Sequence, residues 1–336
     1  MSLFSRFRAG ETEQLPFEGR LPGFEGATGW LNSPPLTPDE LRGKVVLVDF
    51  WTYTCINWLR TLAWVRAWWE TYESDGLVVI GVHTPEFPFE RDPDNVREAV
   101  QEMAVRYPVA LDPDYGVWNA FANSYWPAVY VAGADGRIRH HHFGEGGYEE
   151  CERVIQQLLR DAGRDGIDDE LVSVAPEGLE AQADWDELKT PETYLGYRQA
   201  RNFATAAELV PDDPRTYSVP EPLNPNEWAL ASRWAVESHA SVSHEAGARI
   251  EFRFHARDVN LVMGPRRRGA SIPFRVTLDG EAPGDAHGLD VDGQGNGTLE
   301  RQRLYQLIRE PASIEDRTVE IAFLEPDAEV YCFTFG

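Results

Sequence analysis

The segment VDFWTYTCINW, Val48 to Trp58, ends an apolar run and opens an amphipathic one. Its first half belongs to VVLVDFW, which follows Lys44 and is continuously apolar and β-branched apart from Asp49. Such a run is expected of a strand buried on both faces of a mainly parallel sheet. Its second half leads into Cys55 to Ser74, where Ile56, Leu59, Leu62, Ala63 and Val65 recur among four tryptophans at helical spacing. Gly76 then ends the helix before a second apolar strand, LVVIGV at 77–82. The segment is thus the first crossover of a β-α-β unit, with Cys55 between strand and helix. At a helix start, unpaired backbone N–H groups and the positive end of the helix dipole stabilise a thiolate, so this placement activates sulfur.

Working outward, residues 1–43 are rich in Gly and Pro and read as a lead-in, with a short hairpin around Gly23 to Asn32 and a helix-start signal at Thr37 to Glu40. Downstream, the pattern predicts a helix over Asn95 to Arg106, a strand at 108–111 and a short helix near Val117 to Ala122. AVYVAG at 128–133, the turn Ala134-Asp135-Gly136 and RIRHHHFG at 137–144 predict an antiparallel hairpin, and Tyr148 to Arg160 a closing helix. Residues 44–160 therefore read as one α/β domain. Residues 161–227, acidic and Pro-rich, read as a connector without a core of its own. Beyond Trp228 short alternating runs take over, at 251–256, 261–264, 273–280, 304–308, 318–324 and 330–335. With no helix between them they predict an all-β, jelly-roll-like sandwich over 228–336.

Composition bounds the function. A chain of 336 residues should hold about two domains. The net charge of −25, from 31 Lys+Arg against 56 Asp+Glu, repels phosphate backbones and anionic lipid, which argues against nucleic acid and membrane surfaces as partners. Three widely spaced cysteines, Cys55, Cys151 and Cys332, make neither a disulfide framework nor a four-thiolate zinc site, and they suit a reducing compartment. The start, MSLFSRFRAGETEQ, lacks an apolar signal core, and no stretch approaches the ~20 apolar residues that span a bilayer, so a cytoplasmic location is the expectation.

Asp49-Phe50-Trp51 followed by Cys55, with Leu41 to Val46 (LRGKVV) ahead of it, resembles the active site of thioredoxin-like redoxins of the TlpA and ResA kind, within the AhpC/TSA superfamily. Tyr125-Trp126-Pro127-Ala128-Val129-Tyr130 and the following Asp135-Gly136-Arg137-Ile138 are similar to that family's cis-proline strand and hairpin. With the sandwich included, nearly the whole chain resembles the soluble part of DipZ-like proteins, whose sandwich is similar to carbohydrate-binding modules. The resemblance implies a thioredoxin fold over about 15–160. It also implies Cys55 as nucleophile, Asp49 as the buried acid and Pro127 facing the thiol, with Trp51, Asn57, Trp58 and Trp126 in support. It implies a low-molecular-weight thiol or a protein disulfide as substrate, a carbohydrate or protein ligand for the sandwich, and neither cofactor nor metal.

The chain departs from the family at one decisive place. The Cys-x-x-Cys pair is here Cys55-Ile56-Asn57-Trp58, so the usual intramolecular disulfide cannot form. Cys55 could still attack a disulfide or be oxidised to a sulfenic acid, with an external thiol completing the cycle, which is monothiol chemistry. The alternatives are a one-Cys peroxidase and a non-catalytic scaffold that keeps an inert cysteine. Thr52 stands three residues before Cys55, as in peroxiredoxins, but Val48 replaces the proline of that pattern and its arginine is missing near Pro127; a plain strand-end residue is the simpler account. Asp49, desolvated within its strand, reads as a proton acceptor near the thiol or as a hydrogen-bonded core group. His83 and Glu86 follow the second strand, at the carboxyl edge where functional loops gather, and are expected to border Cys55.

Three further motifs carry less. In His140-His141-His142 the strand period sends His141 to the opposite face, which disfavours a shared metal. Asp290 to Gly297 lacks the glutamate of an EF-hand, with Arg301 at the twelfth position. Arg266-Arg267-Arg268 reads as solvated charge at a hairpin tip.

Overall fold

The computed structural model describes residues 15–336, which divide into two compact units between Glu180 and Ala181. The expectation for the first fourteen residues lies outside the described part. The first unit comprises β1 (Gly19–Arg20), β2 (Gly29–Leu31), β3 (Val45–Trp51), α1 (Ile56–Tyr72), β4 (Leu77–His83), α2 (Pro93–Glu102), β5 (Val109–Leu111), α3 (Gly116–Ala120), β6 (Ala128–Ala132), β7 (Arg137–Phe143) and α4 (Tyr148–Asp161). Its strands form one sheet in the order β1-β7-β6-β3-β4-β5-β2. β3, β4 and β5 run parallel, and β6 returns antiparallel beside β3.

All seven residues of β3 are buried, as a central strand covered on both faces requires. Val46, Val48 and Phe50 join Ile80, Val82, Val117 and Phe121 in the core on one face. Alternation turns Asp49 and Trp51 to the other face, where Trp58 of α1 meets both. Gly76, at φ +99, ends the turn after α1 in a conformation that favours glycine. Gly81 of β4 makes room for the Trp51 indole: a Cβ there would stand 2.8 Å from its Nε1. Farther along α1, Glu152 of α4 is fully buried and accepts from Trp68 Nε1 (3.0 Å), the Tyr72 hydroxyl (2.7 Å) and the Val172 N–H (2.8 Å).

The lead-in differs from its sequence reading. The expected hairpin around Gly23 to Asn32 is absent, because β2 pairs with β5 and β1 with β7, at opposite edges of the sheet. The open edge of β5 offers a full ladder to Gly29-Trp30-Leu31, and Phe24 and Trp30 pack at the core in edge-to-face contact. Thr37 and Glu40 make the expected reciprocal cap, but around a turn that does not extend into a helix.

The second unit contains β8 (Thr193–Tyr194), β9 (Arg215–Tyr217), β10 (Trp228–Val236), β11 (Ser241–Ser243), β12 (Ala248–Phe254), β13 (Asp258–Pro265), β14 (Ile272–Leu278), β15 (Asn296–Leu299), β16 (Arg303–Arg309), β17 (Arg317–Phe323) and β18 (Ala328–Phe335). Every named pairing is antiparallel, and the unit is a β-sandwich. β10 serves both layers. Its first half pairs with β12 and its second half with β11 and β9, and Ser232, at φ +77, bends the strand between them. Trp228, Trp234, Phe252, Phe274 and Phe323 fill the space between the layers.

The stretch 161–227, read from sequence as a connector, is divided between the units. Residues up to Glu180 pack on the first, and β8 and β9 pair with β18 and β10 of the second. Leu195, Phe203 and Tyr217 belong to the sandwich core, with Phe203 stacked on Trp228 at 4.3 Å. Isolated apolar residues without periodicity carry no strand signal, and their burial is visible only against the finished sandwich. Among the described residues no helix is long and apolar enough to cross a membrane.

Replacing Glu152 by Ala would leave two buried donors and the half-buried Val172 N–H without their acceptor, at about 1–3 kcal/mol for each buried donor before relaxation. Urea unfolding of the full chain, followed by tryptophan fluorescence, should show a loss of about 3 kcal/mol. A loss below about 1 kcal/mol would contradict the bridging role.

Candidate functional site

Cys55 caps the N-terminus of α1 in an extended conformation (φ −75°, ψ 111°), and its carbonyl accepts the first helical hydrogen bond, from Leu59 N–H at 3.0 Å. Its own N–H donates to Thr52 O at 3.2 Å, so the residues between strand and helix form a tight turn. The side chain is 8% exposed, and Sγ lies 3.9 Å from the Trp126 carbonyl oxygen. The next peptide bond, Trp126–Pro127, is cis. The two motifs singled out in the sequence therefore meet, although 71 residues separate Cys55 from Trp126. Trp126 is fixed by its indole N–H to Thr84 O (3.1 Å) and by contact with Trp118 at 4.3 Å.

Beneath the thiol, Trp58 is fully buried and stacks on Trp51 with ring centroids 4.2 Å apart. Its Nε1 donates to Asp49 Oδ2 at 2.9 Å. Asp49 has no contact with water, and burial pushes its pKa up to about 7, against the smaller lowering effect of the Trp58 bond. The residue at the resolving position therefore binds the buried acid directly. Asn57, half-buried on the first turn, accepts at its backbone carbonyl from the Thr61 hydroxyl at 2.9 Å.

Thr52 is fully buried, with its hydroxyl 3.5 Å from His83 Nε2. His83 packs edge-on to Trp51 at 4.8 Å, and desolvation pushes its pKa down to about 3. Burial favours the neutral ring, which borders the site against Trp51 and the Thr52 hydroxyl. Glu86 is half-buried, and its backbone N–H donates to Glu90 Oε2 at 2.7 Å.

Sequence reasoning missed two features. Glu90 is 1% exposed, accepts Thr54 Oγ1 at 2.6 Å and the N–H groups of Glu86 and Phe87, and thereby ties the residue before Cys55 to the loop after β4. Burial raises its pKa. Arg60 forms a buried ion pair with Glu145, Nη1 to Oε2 at 3.3 Å. Glu145 follows Gly144, whose N–H donates to Pro127 O at 2.8 Å, so the pair joins α1 to the loop beside the proline. Glu90 follows Phe87-Pro88-Phe89 and reads in sequence as loop charge; a single arginine inside the apolar face of α1 was the one available signal for the other.

The remaining motifs stay outside the site. His141 points away from its neighbours and meets Glu18 at 2.7 Å, and no group of metal-ligating side chains gathers among the described residues. Asp292 closes the 290–297 turn through Gln294 and Asn296, and Arg266 and Arg267 are ion-paired with Glu237 and Asp327. Cys151 is buried and unpaired, its thiol pushed well above the ordinary range by burial. In the sandwich, a cavity of about 250 Å³ is lined by charged and aliphatic residues, Glu221, Glu251, Arg253 and Asp316 among them, without an aromatic ring.

Comparison with known proteins gives the same division. The AhpC/TSA family profile matches residues 20–141, and the profile of the thioredoxin-like C-terminal domain matches 190–336. The protein DipZ of Mycobacterium tuberculosis is 40% identical over 255 residues, 75% of this chain and 36% of that protein, so the chain spans about a third of that relative's length. The thiol-disulfide oxidoreductase YkuV of Bacillus subtilis is 31% identical over 140 residues, 41% of this chain and 93% of that protein. Among solved structures, a thioredoxin-like protein in its oxidised form matches with 30% identity and a TM-score of 0.40, over 43% of this chain and 96% of the other. The chain belongs to the thioredoxin-like redoxins of the AhpC/TSA family and carries a thioredoxin-like C-terminal domain behind its redoxin domain.

Proposed function

We propose that Cys55 works as a single thiol in thiol-disulfide exchange. The family supports thiol-disulfide oxidoreductase chemistry. The observation that carries the finer reading is Trp58, buried on Trp51 and bonded to Asp49 where a resolving cysteine would stand. The Cys55 thiolate, favoured by the helix N-terminus, attacks one sulfur of a disulfide, the other sulfur leaves as a thiolate, and a mixed disulfide remains on Cys55. A low-molecular-weight thiolate then attacks the substrate sulfur of that mixed disulfide, Cys55 leaves as a thiolate, and the attacking thiol is left disulfide-bonded to the substrate. The Trp126 carbonyl and the cis Pro127 would border the incoming chain.

Peroxidase action is the weaker reading, because the Thr52 hydroxyl is buried against His83. An inert scaffold is the second reading, favoured by the 8% exposure of Cys55. The rate of Cys55 alkylation at pH 6 separates them: an activated thiol reacts much faster than an unfolded cysteine, and an inert one slower. The cavity in the sandwich has no aromatic platform, and we assign it no sugar ligand. On three cysteines spaced too widely in sequence for a disulfide framework we place the protein's work in a reducing compartment, the cytoplasm.

On this reading Asp49 no longer serves a second thiol, and its effect is on stability. Its folded pKa, about 7, lies above the unfolded value of about 3.9, so the folded state holds the extra proton and loses stability as pH rises between these values. The full cost, of order 4 kcal/mol, is reached above pH 7. Asp49→Asn keeps an acceptor for Trp58 without the charge. Its stability relative to wild type should therefore improve by a few kcal/mol between pH 5 and pH 8 in urea titrations, with Cys55 alkylation changed less than about threefold. A constant difference would show that Asp49 does not titrate in this window.

Trp58→Cys places a second thiol one helical turn from Cys55. The substitution empties a fully buried site, and a loss of about 3–5 kcal/mol is expected. Variant that remains folded by circular dichroism should form an internal disulfide and reduce insulin, as wild type should not. Folded variant with neither property would mean that Cys55 is blocked from its substrates.

A further inference from the structure

Only two of the chain's 31 Lys+Arg residues are lysines, Lys44 and Lys189. In the second unit, Lys189 heads a row of titratable groups that are distant in sequence. Its Nζ is 3.0 Å from His255 Nε2, and His255 Nδ1 is 2.7 Å from Asp316 Oδ1. The His255 bond holds the Asp316 carboxyl below the usual carboxylate range, so the carboxylate accepts and the imidazole proton is placed on Nδ1. Nε2 then turns its lone pair to the amine. The backbone fixes this meeting: Lys189 N–H donates to His255 O at 3.1 Å, and His255 N–H donates to the buried Thr190 Oγ1 at 2.7 Å. The His255 side chain is 16% exposed and that of Lys189 62%, so the base is largely covered while the amine is open to a reagent from solution. Two other charges face the row, the Glu187 carboxylate 4.0 Å from Nζ and the Arg253 guanidinium 3.3 Å from Asp316 Oδ2.

We propose that Lys189 is an acyl-acceptor site, an amine activated by His255 and modified by thioesters whose carrier is uncharged. An ammonium and an imidazolium in hydrogen-bond contact repel, so the pair holds one positive charge, with the proton on Nζ or on Nε2. When it lies on Nε2, Asp316 stabilises the imidazolium and Nζ is a free amine, a state closed to an always-charged arginine. The free amine attacks the thioester carbonyl carbon, and the C–S bond breaks. The carrier leaves as a thiol with a proton from the attacking nitrogen, an amide remains on Lys189, and the imidazolium returns its proton to water. Asp316 is a positioning residue, since it acts through the imidazole. Glu187 beside the amine and the net charge of −25 oppose a carrier rich in phosphate.

The test treats the full chain with S-acetyl-N-acetylcysteamine, an uncharged thioester, strips acyl groups from the cysteines with hydroxylamine, and measures acetyl-lysine at both lysines by peptide mapping. Lys44 is the internal reference, exposed and with no hydrogen-bonded base among the described residues. In native protein Lys189 should be acetylated at least about tenfold faster than Lys44, a modest share of the ~10²–10⁴-fold that a positioned base supplies. In concentrated urea the two rates should come within about twofold. His255→Gln removes the base and should bring native Lys189 within about twofold of Lys44, and Asp316→Asn should cut the preference at least about threefold. Lys189 labelled no faster than Lys44 in native protein would overturn the proposal. So would a preference that persists in urea, or one that survives undiminished in either variant folded by circular dichroism; if one variant fails to fold, the other decides. Acetyl-coenzyme A, a thioester on a phosphate-rich carrier, should show a smaller Lys189 preference, and an equal or larger one would overturn the choice of carrier.

Discussion

The hydrogen bond from Trp58 Nε1 to Asp49 Oδ2, 2.9 Å long and closed to water, is the interaction around which the site is built. It ties the central strand to the first turn of the helix that carries Cys55. The indole also stacks on Trp51, which in turn needs the bare backbone of Gly81 beside it. Each partner is fixed by another: removing the indole would strand a buried carboxyl, and removing the carboxyl would strand a buried N–H. This arrangement occupies the position from which a resolving thiol would act, and under the proposed function the second thiol comes from another molecule.

The sheet register delivers the rest. Phe50 of β3 lies opposite Ala128 of β6, so the residues just after β3 and just before β6 emerge at the same edge. Cys55 follows one, and Trp126-Pro127 precedes the other. Contact between the thiol and the Trp126 carbonyl is therefore a consequence of strand pairing, with buried polar ties added around it. Glu90 secures Thr54 from one side, and the Arg60–Glu145 pair joins α1 to the loop beside Pro127. These buried charges hold geometry, and none of them is aimed at solvent.

Much of this was readable from the chain. The apolar run before Cys55, the Asp-Gly hairpin and the alternating C-terminal strands are local patterns, and they appear where periodicity and turn chemistry put them. The convergence of Cys55 with Pro127 followed from the family resemblance. What stayed hidden depends on distant partners. Glu90 is a loop glutamate until the turn before Cys55 folds against it, and Leu195, Phe203 and Tyr217 look like linker residues until the sandwich offers them a core. The lead-in strands were misread for the same reason, since their ladders are made with β5 and β7 and not with each other. His83 lies beside Trp51 and Thr52 at the carboxyl edge of the sheet, as its place at the end of β4 implies, and burial pushes its pKa down.

The account turns on whether Cys55 reacts alone. Native protein incubated with oxidised glutathione and analysed by intact mass and peptide mapping tests this directly. The account predicts one glutathione bound through a disulfide to Cys55, one glutathione thiolate released for each, and Cys151 and Cys332 unchanged. An internal disulfide between Cys55 and either of the other two cysteines, or a native protein that takes up no glutathione at all, would contradict it.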